Sequence, residues 1–451
     1  MRTFPIGGIH PSDNKQWSKE RPIEVMELPD VVAVPMVQHI GAPATPVVQK
    51  GDKVLTGQLI GQAGGFVSAN IHAPISGTVT SVDMYANGQG QRRMMVVIKR
   101  DGDEWMEGID RSPELKRDCK LTSEEIIAKI KDAGVVGLGG AQFPTHVKLS
   151  VPAGQKAEIL IINGVECEPY LTSDYRNMLE RGEMILVGIE ILMRALSVRR
   201  AVIGVEANKP AAVEILRALI TKGCYKGIEV QTLKTRYPQG GEKQLIAAVT
   251  GRELPPPPAL PISVGDVVSN VSTAIALYEA VQKNKPLIER VVTVTGKELK
   301  ERHNFLVRFG VSVDKFLERA GGIPDGDVKI LNGGPMMGRV VVDTSAPLIK
   351  GCSGITVLSG AEACRGEEGV CIKCAKCVSA CPMGLEPYLL SKLAHLQKWE
   401  AAEEHNTIDC IECGCCSYTC PSNLPLLDYI RIGKQTVMTA IRARANANNN
   451  K

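Results

Sequence analysis

Two stretches near the C-terminal end of the sequence carry the same cysteine spelling. Cys371, Cys374, Cys377 and Cys381 are followed by Pro382, and Cys410, Cys413, Cys416 and Cys420 by Pro421. Each reads C-x2-C-x2-C-x3-C-P. Thiolates are soft ligands, and three in one tight loop can reach three corners of an iron–sulfur cube while the fourth leaves on the next element. The proline lacks an N–H and restrains that exit. Structural zinc and buried free thiols are the alternatives. Two copies of the four-cysteine spacing, each closed by proline, favour two [4Fe–4S] clusters over zinc. Cys364 and Cys415 match no position of the repeat and read as a turn residue and a passenger.

The spacing resembles that of bacterial two-cluster ferredoxins. That resemblance implies crossed ligation: Cys371, Cys374, Cys377 and Cys420 around one cube, and Cys410, Cys413, Cys416 and Cys381 around the other. The segment between the repeats is long, with Leu385, Leu389, Leu393 and Leu396 at helical spacing. It favours the helical variant of such ferredoxins. Cubes sharing crossed ligands lie close together, so the pair is a short wire for single electrons.

The whole chain sets bounds on the rest. It has 451 residues, enough for two to four domains, and its 53 basic and 49 acidic side chains leave a formal charge of +4. No long basic face stands out, which argues against nucleic acid. No apolar run approaches the ~18 residues that span a bilayer, and residues 2–20 lack the apolar core of a signal peptide. Cysteines crowded into one region of such a chain point to metal binding in a reducing compartment, not to a disulfide framework.

Four kinds of region must position the clusters. Over residues 30–100, short apolar runs separated by Gly and Pro predict a small β module within an N-terminal region 1–120. Its pattern resembles the barrel-sandwich fold of biotinyl and lipoyl carriers, but the hairpin stretch Val67–Pro74 holds no lysine to modify. A structural use of the fold is expected. Residues 121–285 alternate helical and strand patterns and predict a mostly parallel sheet flanked by helices, opening on a helix capped by Thr122 or Ser123 and ended by Gly134. Residues 286–358 read as a compact α+β unit of β-grasp type. The two-cluster region occupies 359–432, and residues 433–451 read as a polar, disordered tail. The expected architecture is thus a multidomain α+β chain.

A second candidate site lies in the α/β region. Gly134–Lys148 is rich in glycine, which lets bare backbone N–H groups approach a phosphate or a flat ring. It is not a Rossmann fingerprint, and a simple tight turn is the alternative. The following strand, ending at Asn163, runs into Glu166, Glu168 and Asp174. Strand ends of α/β sheets bind ligands, whereas a solvated acidic loop is the plain alternative.

The Gly-rich loop with Lys148, the Asn163–Pro169 strand end, Tyr237–Leu245 and Ser269–Thr273 together resemble, in order and spacing, the FMN- and NADH-binding flavoprotein subunit of respiratory complex I. With the barrel-sandwich module before and the paired cysteine repeats after, the nearly full-length chain resembles the C subunit of bacterial Rnf complexes, which couple electron flow between NADH and ferredoxin to sodium or proton transport. The opening Phe4–Pro11 fits that family too. The resemblance implies FMN facing Gly137, Gly139, Gly140 and Lys148, touching Asn163 and Glu166, with its phosphate at Asn270 and Thr273. It implies NAD(H) near Glu168 and Glu242. The pattern departs at Val165 and Gly241, where complex I has acids. The implied partners are membrane and soluble subunits of the same complex, with ferredoxin reached indirectly, at the cytoplasmic face of the bacterial inner membrane. Hydride chemistry needs no general acid or base, so no histidine is assigned a catalytic role. The alternatives are a cobalamin reductase of microcompartments, whose modules come in the reverse order, and a non-catalytic electron-transfer scaffold. NADH–dye reductase activity separates the last from an enzyme.

Overall fold

The computed structural model describes residues 1–449. The α/β region forms as its pattern predicts. Thr122 caps the helix Ser123–Asp132: its hydroxyl accepts the Glu125 N–H, and the Glu125 carboxylate accepts the Thr122 N–H. Four parallel strands follow in the order Ile228–Leu233, Ala201–Glu206, Ile159–Asn163, Asp266–Asn270. The middle strands are nearly continuous runs of Ile, Leu and Val because helices cover both faces. Leu160 and Ile162 enter one core, formed largely with the helices Gly182–Leu196 and Val271–Lys283; Ile161 enters the other, with the helix Glu242–Thr250. The strand Asp266–Asn270, hidden behind a proline-rich loop, is not legible as a strand in the sequence. Its register sets Asn270 beside Asn163.

The N-terminal region divides. Strands Val31–Pro35, Arg92–Arg100, Gly77–Ala86 and Lys53–Val54 form one small sheet, and Thr45–Pro46, Leu59–Gln62 and Ile71–His72 another, around Val32, Ile60, Ile75 and Ile98. The hairpin stretch where a carrier would present its lysine is buried. Ala69 joins the main core of the α/β region, and Asn70 donates to Asp132 O. The module is a built-in support, as its missing lysine suggests. Ile23–Val25, also within the first 120 residues, belongs elsewhere, as an edge strand pairing in parallel with His303–Arg308.

The third unit is a six-stranded mixed sheet in the order Ile23–Val25, His303–Arg308, Glu289–Thr295, Gly354–Ser359, Val328–Asn332, Arg339–Val340, packed on the helix Val313–Glu318. In the C-terminal unit, short helices Lys376–Ala380 and Cys415–Tyr418 carry the third cysteine of each repeat. Between the repeats lie the helices Pro387–His395 and Trp399–Glu404. The buried face of the first is Pro387, Leu390, Ser391 and Ala394, one position away from the leucine stripe expected from spacing; Leu396 is 51 % exposed. The expected disordered tail is corrected: Leu426–Asn449 is one helix, of which Leu426, Leu427, Ile430 and Val437 are buried. Ala, Arg and Gln favour helix, and the apolar residues recur at its period, which composition alone conceals. Residues 450 and 451 lie outside the described residues. No helix among the described residues is long and apolar enough to cross a membrane.

Candidate functional site

The Gly-rich loop sits over the C-terminal ends of the parallel strands. Gly137 N donates to Phe143 O at 2.9 Å and Leu138 N to the Thr273 hydroxyl at 2.9 Å. Gly139 lies against Asn270 so closely that a Cβ would come within 2.9 Å of the Asn270 side chain, so only glycine lets the loop descend this far. Asn270 caps the helix Val271–Lys283, accepting the Ser272 N–H at 2.9 Å, and its amide donates to Asp174 at 2.8 Å and Asn163 O at 3.3 Å. Asn163 in turn donates to Gly240 O at 2.8 Å. Lys148 reaches from the far side to Val268 O at 2.9 Å and Glu242 at 3.2 Å, with a third of its side chain exposed.

Gly137, Gly139, Gly140, Lys148, Asn163, Glu242, Asn270 and Thr273 therefore form one group. Bare backbone, one cation and amides at strand ends suit a phosphorylated planar ring, and the buried Thr145 hydroxyl beside the loop has no partner. The donor set fits FMN.

Glu166 and Glu168 do not share that face, nor do they form a solvated loop. Glu166, at a left-handed φ of 47°, lies one layer behind, accepting the backbone N–H groups of Asp174 at 2.7 Å and Tyr175 at 3.3 Å, with Lys15 at 3.9 Å. Burial pushes its carboxyl up to about 7, against the pull of Lys15 and Lys209. Lys209, itself buried, donates to Val165 O at 2.7 Å and pairs with Glu206 at 3.6 Å. Glu168 turns toward the third unit, where it accepts the N–H groups of Met336 and Met337; burial raises its carboxyl to about 7 as well. Sequence reasoning missed Lys15, Lys209, Glu206 and the structural part of Asp174, because no local pattern marks partners that lie about 40 to 150 residues apart.

The cysteine repeats adopt matching backbones. Lys373 and Glu412 have φ of 55° and 56°, and Ala375 and Gly414 of 57° and 79°. These left-handed residues curl the two loops at matching positions. Cys381, Cys410, Cys413, Cys415 and Cys416 line a single cavity with Met383, Leu385 and Ile411. Cys381 lies within electrostatic reach of Cys413, and Cys377 of Cys420. Burial pushes the free thiols of Cys410 and Cys416 up to about 11 and 12, so ligation at neutral pH requires cationic charge, which iron supplies. The donor set fits a cube. Cys415, which matches no position of the repeat, is buried among these cysteines.

The two candidate sites are stitched together through the second repeat and the Ala380–Pro382 end of the first. Tyr237 OH donates to Cys413 O at 2.8 Å, and Gln244 Nε2 to Pro382 O at 3.2 Å. The Phe4–Pro11 segment runs between them. Ile9 pairs with Tyr237, and Gly8 N donates to Ala380 O at 2.8 Å. The first repeat is split: Cys371 and Cys374 are exposed, flanked by Val370 and Ile372, whereas Cys377 and Cys381 are buried.

The Nuo51 FMN-binding domain family matches residues 130–279, and the RnfC barrel sandwich hybrid domain family matches residues 3–103. The chain is 46% identical over 407 residues to the C subunit of the proton-translocating ferredoxin:NAD(+) oxidoreductase complex of Clostridium ljungdahlii, covering 89% of this chain and 87% of that one. It is 41% identical over 437 residues to the C subunit of the Na(+)-translocating ferredoxin:NAD(+) oxidoreductase complex of Acetobacterium woodii, covering 97% of each. Over 438 residues it is 41% identical to the C subunit of the ion-translocating oxidoreductase complex of Rhodobacter capsulatus, covering 96% of this chain and 83% of that one. With identity of this level over almost its whole length, the chain belongs to the family of C subunits of Rnf-type ion-translocating oxidoreductase complexes.

Proposed function

We propose that this chain is the electron-input subunit of an ion-translocating NADH:ferredoxin oxidoreductase, exchanging electrons with NAD(H) through FMN and relaying them through two [4Fe–4S] clusters to partner subunits. The observation that carries this reading is that the chain beside the strand-end group is hydrogen-bonded to both cysteine repeats: Tyr237 to Cys413 O of the second, and Gln244 and Gly8 to Pro382 O and Ala380 O at the end of the first. When bound, FMN accepts a hydride and releases electrons singly, and each cube carries one electron at a time.

The chain's own residues bind and orient. The Gly137–Gly140 backbone, Lys148, Asn163, Asn270 and Thr273 hold the flavin, and Glu242 stands at the mouth where the nucleotide approaches. Cys381, Cys410, Cys413 and Cys416 hold the nearer cluster. Cys371, Cys374, Cys377 and Cys420 hold the outer one, whose exposed rim suits transfer to another subunit. The order is thus flavin, second repeat, first repeat, partner. The barrel-sandwich module serves as a brace. The third unit, whose central strands Glu289–Thr295 and Gly354–Ser359 run parallel between antiparallel neighbours, suits a β-grasp. Location on the cytoplasmic face of the membrane would come through the partners.

Anaerobic reconstitution with iron, sulfide and FMN tests the proposal. About eight irons should bind per chain, and NADH should bleach the flavin and then reduce both clusters. Binding of half that iron, or a flavin that NADH leaves oxidised, overturns it.

A further inference from the structure

Glu168 is the residue whose surroundings fit its implied role least. Its Oε1 accepts the Met337 N–H at 2.6 Å and its Oε2 the Met336 N–H at 3.2 Å. Both amides lie on the loop between the strands Val328–Asn332 and Arg339–Val340 of the third unit. The carboxylate is buried there, and Gly334 passes so close beneath it that any side chain at that position would strike Oε2. The Glu168 carbonyl is held separately by Lys15 Nζ at 2.9 Å.

The opposite side of the same loop rests on the second cysteine repeat. The Met336 carbonyl packs onto Gly414, 2.8 Å from where a Cβ would stand. Met336 also joins Ile9, Tyr237, Cys413, Cys415 and Cys167 in one apolar cluster. One carboxylate therefore spans the gap between the flavin-side strand end and the loop that carries Cys413, through a single turn of the third unit.

We propose that Glu168 is a positioning residue for electron transfer and not a nucleotide ligand: it locks the Gly333–Gly338 loop between the strand end and the second repeat, and its negative charge lowers the potential of the cluster held by Cys381, Cys410, Cys413 and Cys416. The inference rests on the function proposed above. A buried anion beside a cluster disfavours an added electron, and a loop held by a charge-assisted pair of hydrogen bonds is stiffer than a free one.

The test uses the full reconstituted chain and the variants Glu168→Gln and Glu168→Ala. Redox titration followed by electron paramagnetic resonance, with dithionite as reductant, should show the second-repeat cluster shifted to higher potential in both, and the first-repeat cluster unmoved. Amide exchange at Met336 and Met337 should rise about tenfold in Glu168→Ala and less in Glu168→Gln, which keeps one acceptor oxygen. The KM for NADH should stay within about twofold. A KM raised tenfold or more, or an unmoved potential with unmoved exchange, overturns the proposal. The isosteric Gln variant decides alone if the Ala variant does not fold. If NADH fails to bleach even the unaltered chain, the functional reading fails, while the dithionite and exchange measurements still test Glu168.

Discussion

The two cysteine repeats share spelling and backbone, yet they live in opposite surroundings. The first exposes Cys371 and Cys374 and carries Lys373 and Lys376 on its surface. The second buries Cys413, Cys415 and Cys416, and its Glu412 is tied to Arg431 at 3.1 Å and Lys434 at 3.2 Å. Tyr237 donates to Cys413 O of the second repeat, while Gln244 and Gly8 donate to Pro382 O and Ala380 O at the buried end of the first. The difference teaches that a cluster loop is a local device, whereas its place in an electron path is set by what docks against it.

The largest expected effect separates the two clusters outright. Cys381→Ala should lose the second-repeat cluster and stop NADH-dependent reduction of the first, although NADH still bleaches the flavin. Cys420→Ala should lose the first-repeat cluster and leave the second reducible by NADH. Iron content and the resonance spectra of the reduced chains decide; loss of the opposite cluster in either variant would break the crossed assignment.

Next comes the N-terminal staple. Gly7 has a φ of 65° and packs on the Cys381 carbonyl with no room for a side chain. Gly7→Ala should cost on the order of 3 kcal/mol, from left-handed strain and overpacking. Thermal unfolding measures the loss, and flavin-to-cluster transfer should slow while the first cluster's spectrum stays unchanged. A smaller effect is expected of Tyr237→Phe, which removes one buried hydrogen bond and leaves Cys413 O unpaired, at about 1–2 kcal/mol. Stopped-flow reduction of the second cluster and the unfolding midpoint both report it.

The last prediction concerns pH. Burial holds the Glu166 carboxyl near 7, above its ordinary 4.5. A carboxyl raised on folding favours the protonated form, so the stability it contributes is fully present below pH 4.5 and is lost as pH rises through about 7. The unfolding midpoint of the flavin side should fall across that window, and Glu166→Gln should flatten the slope. An unchanged slope would remove Glu166 from the account.

Much of this was legible before the fold. The helix cap at Thr122, the alternating α/β core, the glycine loop and the doubled cysteine spacing follow from spacings of about two to seven residues, which backbone geometry reads directly. The strand Asp266–Asn270 was not legible, because five residues after a proline-rich loop carry no period of their own. The tail was misread, because an Ala- and Arg-rich segment looks polar until Leu426, Ile430 and Val437 find a surface to cover. Glu166 and Glu168 were recognised as special, but their directions were not. A side chain two positions along an irregular strand end turns with the chain that packs on it.

The sequence by itself determined which cysteines share one spacing, that this spacing occurs twice, and where glycines leave the backbone bare, because those depend on short-range spacing. Only the tertiary structure decided that Lys15 sits beside Glu166, that Tyr237 grips Cys413, and that Glu168 faces the third unit. Such contacts join residues about 150 to 180 positions apart. They exist only once each element has buried its own apolar face and left a particular edge against its neighbour.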